Sequence, residues 1–131
     1  VGQQLSRQDL ETMHLLKTGA LIRAAVTAPA LLAGSDAETH DHLAKYGELI
    51  GLAFQVHDDI LDVAGDSSVT GKATQADSAL DKPTFVSILG LEESRAEAQH
   101  LRDQATMHLQ HVQGDISTLA WLADYVVSRD R

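Results

Sequence analysis

GELIGLAFQVHDDILDVAG, residues 47–65, is the stretch on which the fold turns. Ile50, Ala53, Val56, Ile60 and Val63 recur at three- and four-residue spacing, the period of an amphipathic helix. The pattern reaches back through Leu49 and Leu43 to Ser35 and Glu38, spaced as a capping box, and runs forward to Gly65, the predicted stop. On that helix Gln55, Asp58, Asp59 and Asp62 stand at i, i+3, i+4 and i+7, so they share one side across two turns. Carboxylates so placed repel one another unless a cation or solvent screens them. Hard oxygen ligands suit magnesium, which keeps several waters and takes one or two carboxylates plus phosphate oxygens of a substrate.

Working outward, Ser6 and Asp9 are spaced to cap a first long helix that carries Leu10, Met13, Leu16, Leu21, Ala24 and Ala28 toward about Leu32. Gly19 lies inside it, and Pro29 predicts a kink or early end. Residues 66–81, rich in Asp, Ser, Thr, Gly and Ala, read as a polar loop long enough to be functional. Pro83 is placed to open a short helix ending near Gly90. Leu91, Ala98, Leu101, Ala105 and Val112 form the next stripe, with Gly114 as its stop. Ile116, Leu119, Leu122, Tyr125 and Val126 are the apolar face of a last helix.

The bulk composition agrees with an all-α fold. Of the 131 residues 44% are hydrophobic but only 4% aromatic, the apolar content being mostly Ala, Leu and Val at helical spacing. A net charge of -9 argues against a nucleic-acid surface, which needs clustered Lys and Arg, and means that a bound anion requires bridging cations. With no cysteine there is neither a disulfide framework nor a thiolate metal site, which is compatible with a reducing cytoplasm. No apolar run of about 18 residues is present to span a membrane, and no signal peptide is visible. The chain starts at Val1 rather than Met, so removal of a start by processing or cleavage is expected.

With 13 Asp in the chain, a DDxxD pattern arises by chance in roughly one such sequence in eight, so position must carry the reading. The acids follow the apolar run Gly51, Leu52, Ala53 and Phe54 and precede a loop that contains Lys72, Asp77 and Lys82. In this setting GLAFQVHDDILD, residues 51–62, resembles the second aspartate-rich motif of the trans-isoprenyl (polyprenyl) diphosphate synthases. GDSSVTGKATQADSALDKPT, residues 65–84, resembles the segment that follows it in that family, and LLKTGALI, residues 15–22, its Lys-Thr motif. ILGLEESRAEA, residues 88–98, and LADYVVSR, residues 122–129, are most similar to the bacterial farnesyl and geranylgeranyl type.

The resemblance spans nearly the whole chain in matching order. It implies that residues 1–131 are the C-terminal part of a single synthase domain, half of an all-α bundle around a central active-site cavity. It also implies a prenyltransferase that condenses an allylic diphosphate with isopentenyl diphosphate, a magnesium cluster with manganese as the alternative ion, a cytoplasmic location and a homodimer. Carried over by position, Asp58 and Asp77 hold magnesium on the allylic diphosphate, and Asp59 and Asp62 complete the acidic motif, Asp62 counting among the metal ligands. Lys17, Gln55 and Lys72 contact the diphosphate, and Lys82 supports the phosphate cluster. Thr18 flanks the reacting allyl cation together with the Lys17 carbonyl. The family's first aspartate-rich motif and the arginines for isopentenyl diphosphate lie N-terminal to the matched segment, so this chain alone is expected to be inactive. Gly2-Gln3 resembles the remnant of a further family element.

Each residue has a plainer reading. Thr18 can bond back to its own helix, Lys17 can be a solvated cation, Lys82 can sit at a helix start and Asp77 can be a turn acid. Gly71-Lys72 has the wrong glycine spacing for a P-loop and lacks the following Ser or Thr. Glu11-x-x-His14 and Glu97-x-x-His100 suggest a di-metal carboxylate bundle, a rival weakened because neither pair points convincingly inward. His108 and His111 share a helical turn that can hold a surface metal but is usually inert, and His57 points about 100° away from Asp58 toward a neighbouring helix. A non-catalytic interaction module or silent paralogue is the remaining alternative.

Overall fold

The computed structural model describes the backbone of residues 6–14, 18–69 and 83–131, and their side chains apart from residues 10, 14 and 66–69. The described residues are all-α. The helices are α1 (Arg7–His14), α2 (Ala20–Leu32), α3 (Ala37–Val69), α4 (Phe85–Leu89), α5 (Leu91–Leu109) and α6 (Ser117–Ser128).

The long α3 is the central element, packed against α2 on one side and against α5 and α6 on the other. Its inward residues Leu43, Tyr46, Ile50, Ala53, Val56 and Ile60 meet Ala98, Leu101, Ala105 and Leu109 of α5, Ala123, Val126 and Val127 of α6, and Phe85 of α4. Burial of this kind contributes about 1.5–3 kcal/mol per large apolar side chain, which outweighs the intrinsic preferences of short helices. Tyr46 is fully buried and donates its hydroxyl to the Leu119 carbonyl at 2.7 Å, so its one polar atom is satisfied. That burial pushes the phenol well above its ordinary pKa.

The contact between α2 and α3 depends on glycine. A Cβ at Gly47 would lie 2.9 Å from the Cα of Arg23, and one at Gly51 would lie 3.0 Å from the Cα of Gly19. The two backbones therefore touch at successive turns of α3, where no side chain fits between them.

Several helix ends differ from expectation. The Ser6–Asp9 box forms, with the Ser6 amide donating to Asp9 and the Asp9 amide to Ser6. Residues 15–17 of the predicted first long helix lie outside the described residues; on either side of them stand α1 and a wide π-type turn at Thr18–Gly19 that leads into α2. Pro29 sits inside α2 without ending it. The stop is Gly34 at φ 74°, where the Gly34 and Ser35 amides bond back to the Leu31 and Ala30 carbonyls. Asp36 rather than Ser35 caps α3, accepting from the Thr39 amide at 2.8 Å, while the Ser35 hydroxyl turns back to Ala30. Gly65 does not terminate α3, which runs on to Val69 and takes in the first part of the predicted loop. Pro83 precedes the α4 cap, which is Thr84 in a reciprocal box with Ser87. Helix α5 ends at Leu109, ahead of Gly114.

Two predicted faces also move. Leu21, Ala24 and Ala28 point outward on α2, with Leu21 72% exposed, while Val26, Thr27 and Ala30 take the inward side. Tyr125 lies outside the core on α6, stacked on Trp121 at 5.1 Å, and Ala123 and Val127 are buried instead.

Candidate functional site

The site is built on the sixth and later turns of α3, just beyond the glycine contact. Because Gly51 lets α2 approach closely, the turn before α2 comes over Gln55, and the Gln55 amide donates to the Thr18 hydroxyl oxygen at 2.9 Å. Thr12 and Thr27 donate to the carbonyl four residues back, the ordinary habit of a helical Thr, but Thr18 receives a bond from another helix. Asp58 and Asp62 continue the same face one and two turns further on, Asp58 half-exposed and Asp62 exposed.

The carboxylates have different surroundings. Asp59 accepts the Phe85 amide at 2.8 Å, so it satisfies an orphan donor at the start of α4 and ties that helix to α3. Burial, opposed by that hydrogen bond and reinforced by the Asp62 and Asp58 charges, pushes its pKa up to about 6. Asp58 instead faces Arg129, whose guanidinium nitrogen lies 3.6 Å from Asp58 Oδ1. Arg129 is 90% buried, its guanidinium 4.4 Å from the Phe54 ring centroid, and its carbonyl accepts from His57 Nε2–H at 2.8 Å. His57 thus points to a neighbouring element as expected. Arg129 Nε and one Nη make no hydrogen bond to any described residue, so this cation is held for its charge beside Asp58.

Sequence reasoning did not single out Arg129. It stands one residue past α6 and far along the chain from Asp58, so no spacing rule joins them. Lys17, Lys72, Asp77 and Lys82, with the Gly71-Lys72 pair, lie outside the described residues. The di-metal rival fails on its own carboxylates: Glu11 and Glu97 converge on Arg7, Glu11 at 2.6 Å and Glu97 in a closer ion pair, and His100 is exposed. A guanidinium occupies the place that the metals would need.

Thr18, Gln55 and a graded acid face stand together on two helices joined at glycine, and the sequence model of the family described as polyprenyl synthetase matches residues 2–119. The chain belongs to the polyprenyl synthetase family. It is 46% identical over 134 residues to the farnesyl diphosphate synthase of Escherichia coli (strain K12), covering 99% of this chain and 45% of that protein. It is 36% identical over 123 residues to the geranylgeranyl diphosphate synthase of Cyanophora paradoxa, covering 94% of this chain and 41% of that one. The crystal structure of an FPP/GFPP synthase from Zymomonas mobilis superposes with a TM-score of 0.81 at 33% identity, over 96% of this chain and 40% of that one. The chain therefore spans less than half the length of these polyprenyl synthetase relatives.

In this family member the raised pKa of Asp59 has a consequence for stability. Its folded-state value of about 6 lies above the ordinary 3.8, so between those values the folded protein keeps a proton that the unfolded chain has released. Stability from this group is then largest on the acid side and declines as pH rises through that window. Asp59→Asn keeps an oxygen for the Phe85 amide while removing the charge. In a chelator at neutral pH the variant is expected to melt about 2 °C higher than the parent, with the gap closing below pH 5. Equal melting temperatures across the whole pH range would show that Asp59 carries no such strain.

Proposed function

We propose that this chain is the C-terminal part of a single prenyltransferase domain, in which it supplies one side of a magnesium–diphosphate site. The observation that carries the proposal is the convergence of Thr18, Gln55, Asp58 and Asp62 on one face. Asp58 and Asp62, with Asp77, would hold magnesium, and Lys17, Gln55 and Lys72 would contact the allylic diphosphate, supported by Lys82. Magnesium held there would supply positive charge against the diphosphate as the allylic C–O bond breaks, and the Lys17 and Lys72 ammonium groups would add to it. The Thr18 hydroxyl and Lys17 carbonyl turn their dipoles toward the cation left behind. The double bond of isopentenyl diphosphate attacks that cation, and loss of a proton gives a product longer by one isoprene unit.

The exposed apolar side of α2 supports the part-domain reading, with Leu31 61% and Leu32 90% exposed, since large unpaired apolar faces mark contact surfaces. We assign that face to the N-terminal half of the synthase domain. A cytoplasmic homodimer completes the proposal, and among the described residues no helix is long and apolar enough to cross a membrane.

The test is label incorporation. The whole protein is given radiolabelled isopentenyl diphosphate with dimethylallyl, geranyl or farnesyl diphosphate, in magnesium or in excess chelator. Labelled, chain-extended product is expected in magnesium and falls at least ~10³-fold in chelator. No incorporation with any primer in magnesium would overturn the reading.

A further inference from the structure

At the far end of α3 from the aspartates, Glu38 and His42 stand one turn apart beside His111, in the turn that follows α5. One donor atom from each of the three lies within 4.8 Å of the others. The His42 and His111 rings stack, with centroids 4.3 Å apart and planes 11° from parallel. His42 Nδ1 is also 3.0 Å from His108 Nδ1. From these contacts we propose that Glu38, His42 and His111 bind a transition-metal ion, zinc by the chemistry of the donors, and that His108 positions His42.

Two imidazoles and one carboxylate form a donor set that zinc takes in tetrahedral geometry with a water in the fourth place, and that magnesium disfavours. Two ring nitrogens 3.0 Å apart share one proton, so one donates and the other accepts. With His42 as the donor of this pair, His108 is the acceptor, and the other ring nitrogen of His42 is left free. His42 then carries its proton on Nδ1 and presents the Nε2 lone pair, the arrangement in which an outer partner orients a metal-binding histidine.

Entry of the ion requires movement. Parallel rings cannot aim two lone pairs at one centre, so His111 must turn about its side-chain bonds and bring its nitrogen to about 3.3 Å from that of His42, the edge of a zinc tetrahedron. His111 and Glu38 are exposed, so this rotation gives up the stack on His42 but moves side chains that face solvent. Lys45 opposes the bound charge, and the Glu38 carboxylate offsets it. His42 and Asp58 are about 24 Å apart along the helix, so the ion is structural: it ties the start of α3 to the turn between α5 and α6.

The experiment is a calorimetric zinc titration of the whole, metal-free protein, repeated with cobalt to read the visible bands of tetrahedral coordination. His42→Ala and His111→Ala are each expected to weaken zinc binding at least ~10-fold and abolish the cobalt bands, and His108→Ala to weaken binding about 10-fold. His100→Ala, an exposed histidine outside the cluster, should leave both unchanged. His42→Gln, with the fold checked by circular dichroism, substitutes for the alanine variant if that one misfolds. Zinc affinity unaltered by the His42 and His111 changes, or no binding by the wild type, overturns the proposal. Prenyl condensation is not read in this test, so its outcome is independent of the proposed activity.

Discussion

Asp58→Ala, made in the whole protein, is expected to lower kcat for condensation by about 10³-fold, roughly 4 kcal/mol of transition-state stabilisation, while leaving the melting temperature almost unchanged. The two halves of that result come from different features of the same carboxylate. Asp58 is 49% exposed and caps no helix, and its charge partner among the described residues, Arg129, lies 3.6 Å away, so the pair contributes at most about 1 kcal/mol to stability. Under the proposed function, its value lies in the oxygen ligands that it offers beside Gln55. Asp59 behaves in the opposite way, with its oxygen committed to the Phe85 amide and its charge raising the free energy of the fold. Steady-state rates for both variants over a magnesium series, together with melting curves, separate the two roles. If Asp58→Ala retains full activity at low magnesium, the assignment of Asp58 to the metal fails.

Gly51→Ala is expected to destabilise the protein by about 1–3 kcal/mol and to lower kcat/KM about tenfold. The added methyl would lie 3.0 Å from the Cα of Gly19 and 3.5 Å from Ile22 Cδ1, and the nearer atom is backbone that cannot rotate away. Helix α2 must retreat. The Thr18 hydroxyl next to Gly19 then moves off Gln55, whose bond to it is only 2.9 Å long. Gly65 on the same helix is the comparison, because a Cβ there meets no atom of the described residues within 4 Å. Alanine at that position should instead stabilise by about 0.5–1 kcal/mol through its better helix preference. Denaturant unfolding of the two variants distinguishes a backbone-packing glycine from a dispensable one by sign. Similar small effects at both positions would mean that the α2–α3 contact yields easily and does not set the Thr18–Gln55 geometry.

The helical period in residues 47–65 was sufficient for the all-α fold and for placing Gln55, Asp58, Asp59 and Asp62 on one side, because that geometry is local to a single helix. The Ser6–Asp9 cap was legible for the same reason, both partners lying within one turn. Choices between neighbouring candidates were not legible. Ser35 and Asp36 are both good caps, and the Gly34 turn decides between them by directing the Ser35 hydroxyl back to Ala30. Gly34 and Gly65 are both plausible stops, and only the first adopts a positive φ. Lys17 and Thr18 were joined to that face only through family resemblance, since no local rule relates residues on different helices.

What the sequence determined by itself was therefore everything that depends on neighbours a few residues apart: the helices, the shared acid face and the motifs that mark the family. Tertiary structure alone decided which acid accepts an amide of α4 and which faces Arg129, and it brought Thr18 to Gln55 and His111 to His42. Those pairings depend on how closely α2, α5 and α6 pack on α3. That distance is set by glycine contacts and buried side chains along the whole interface, and no spacing within one helix encodes it.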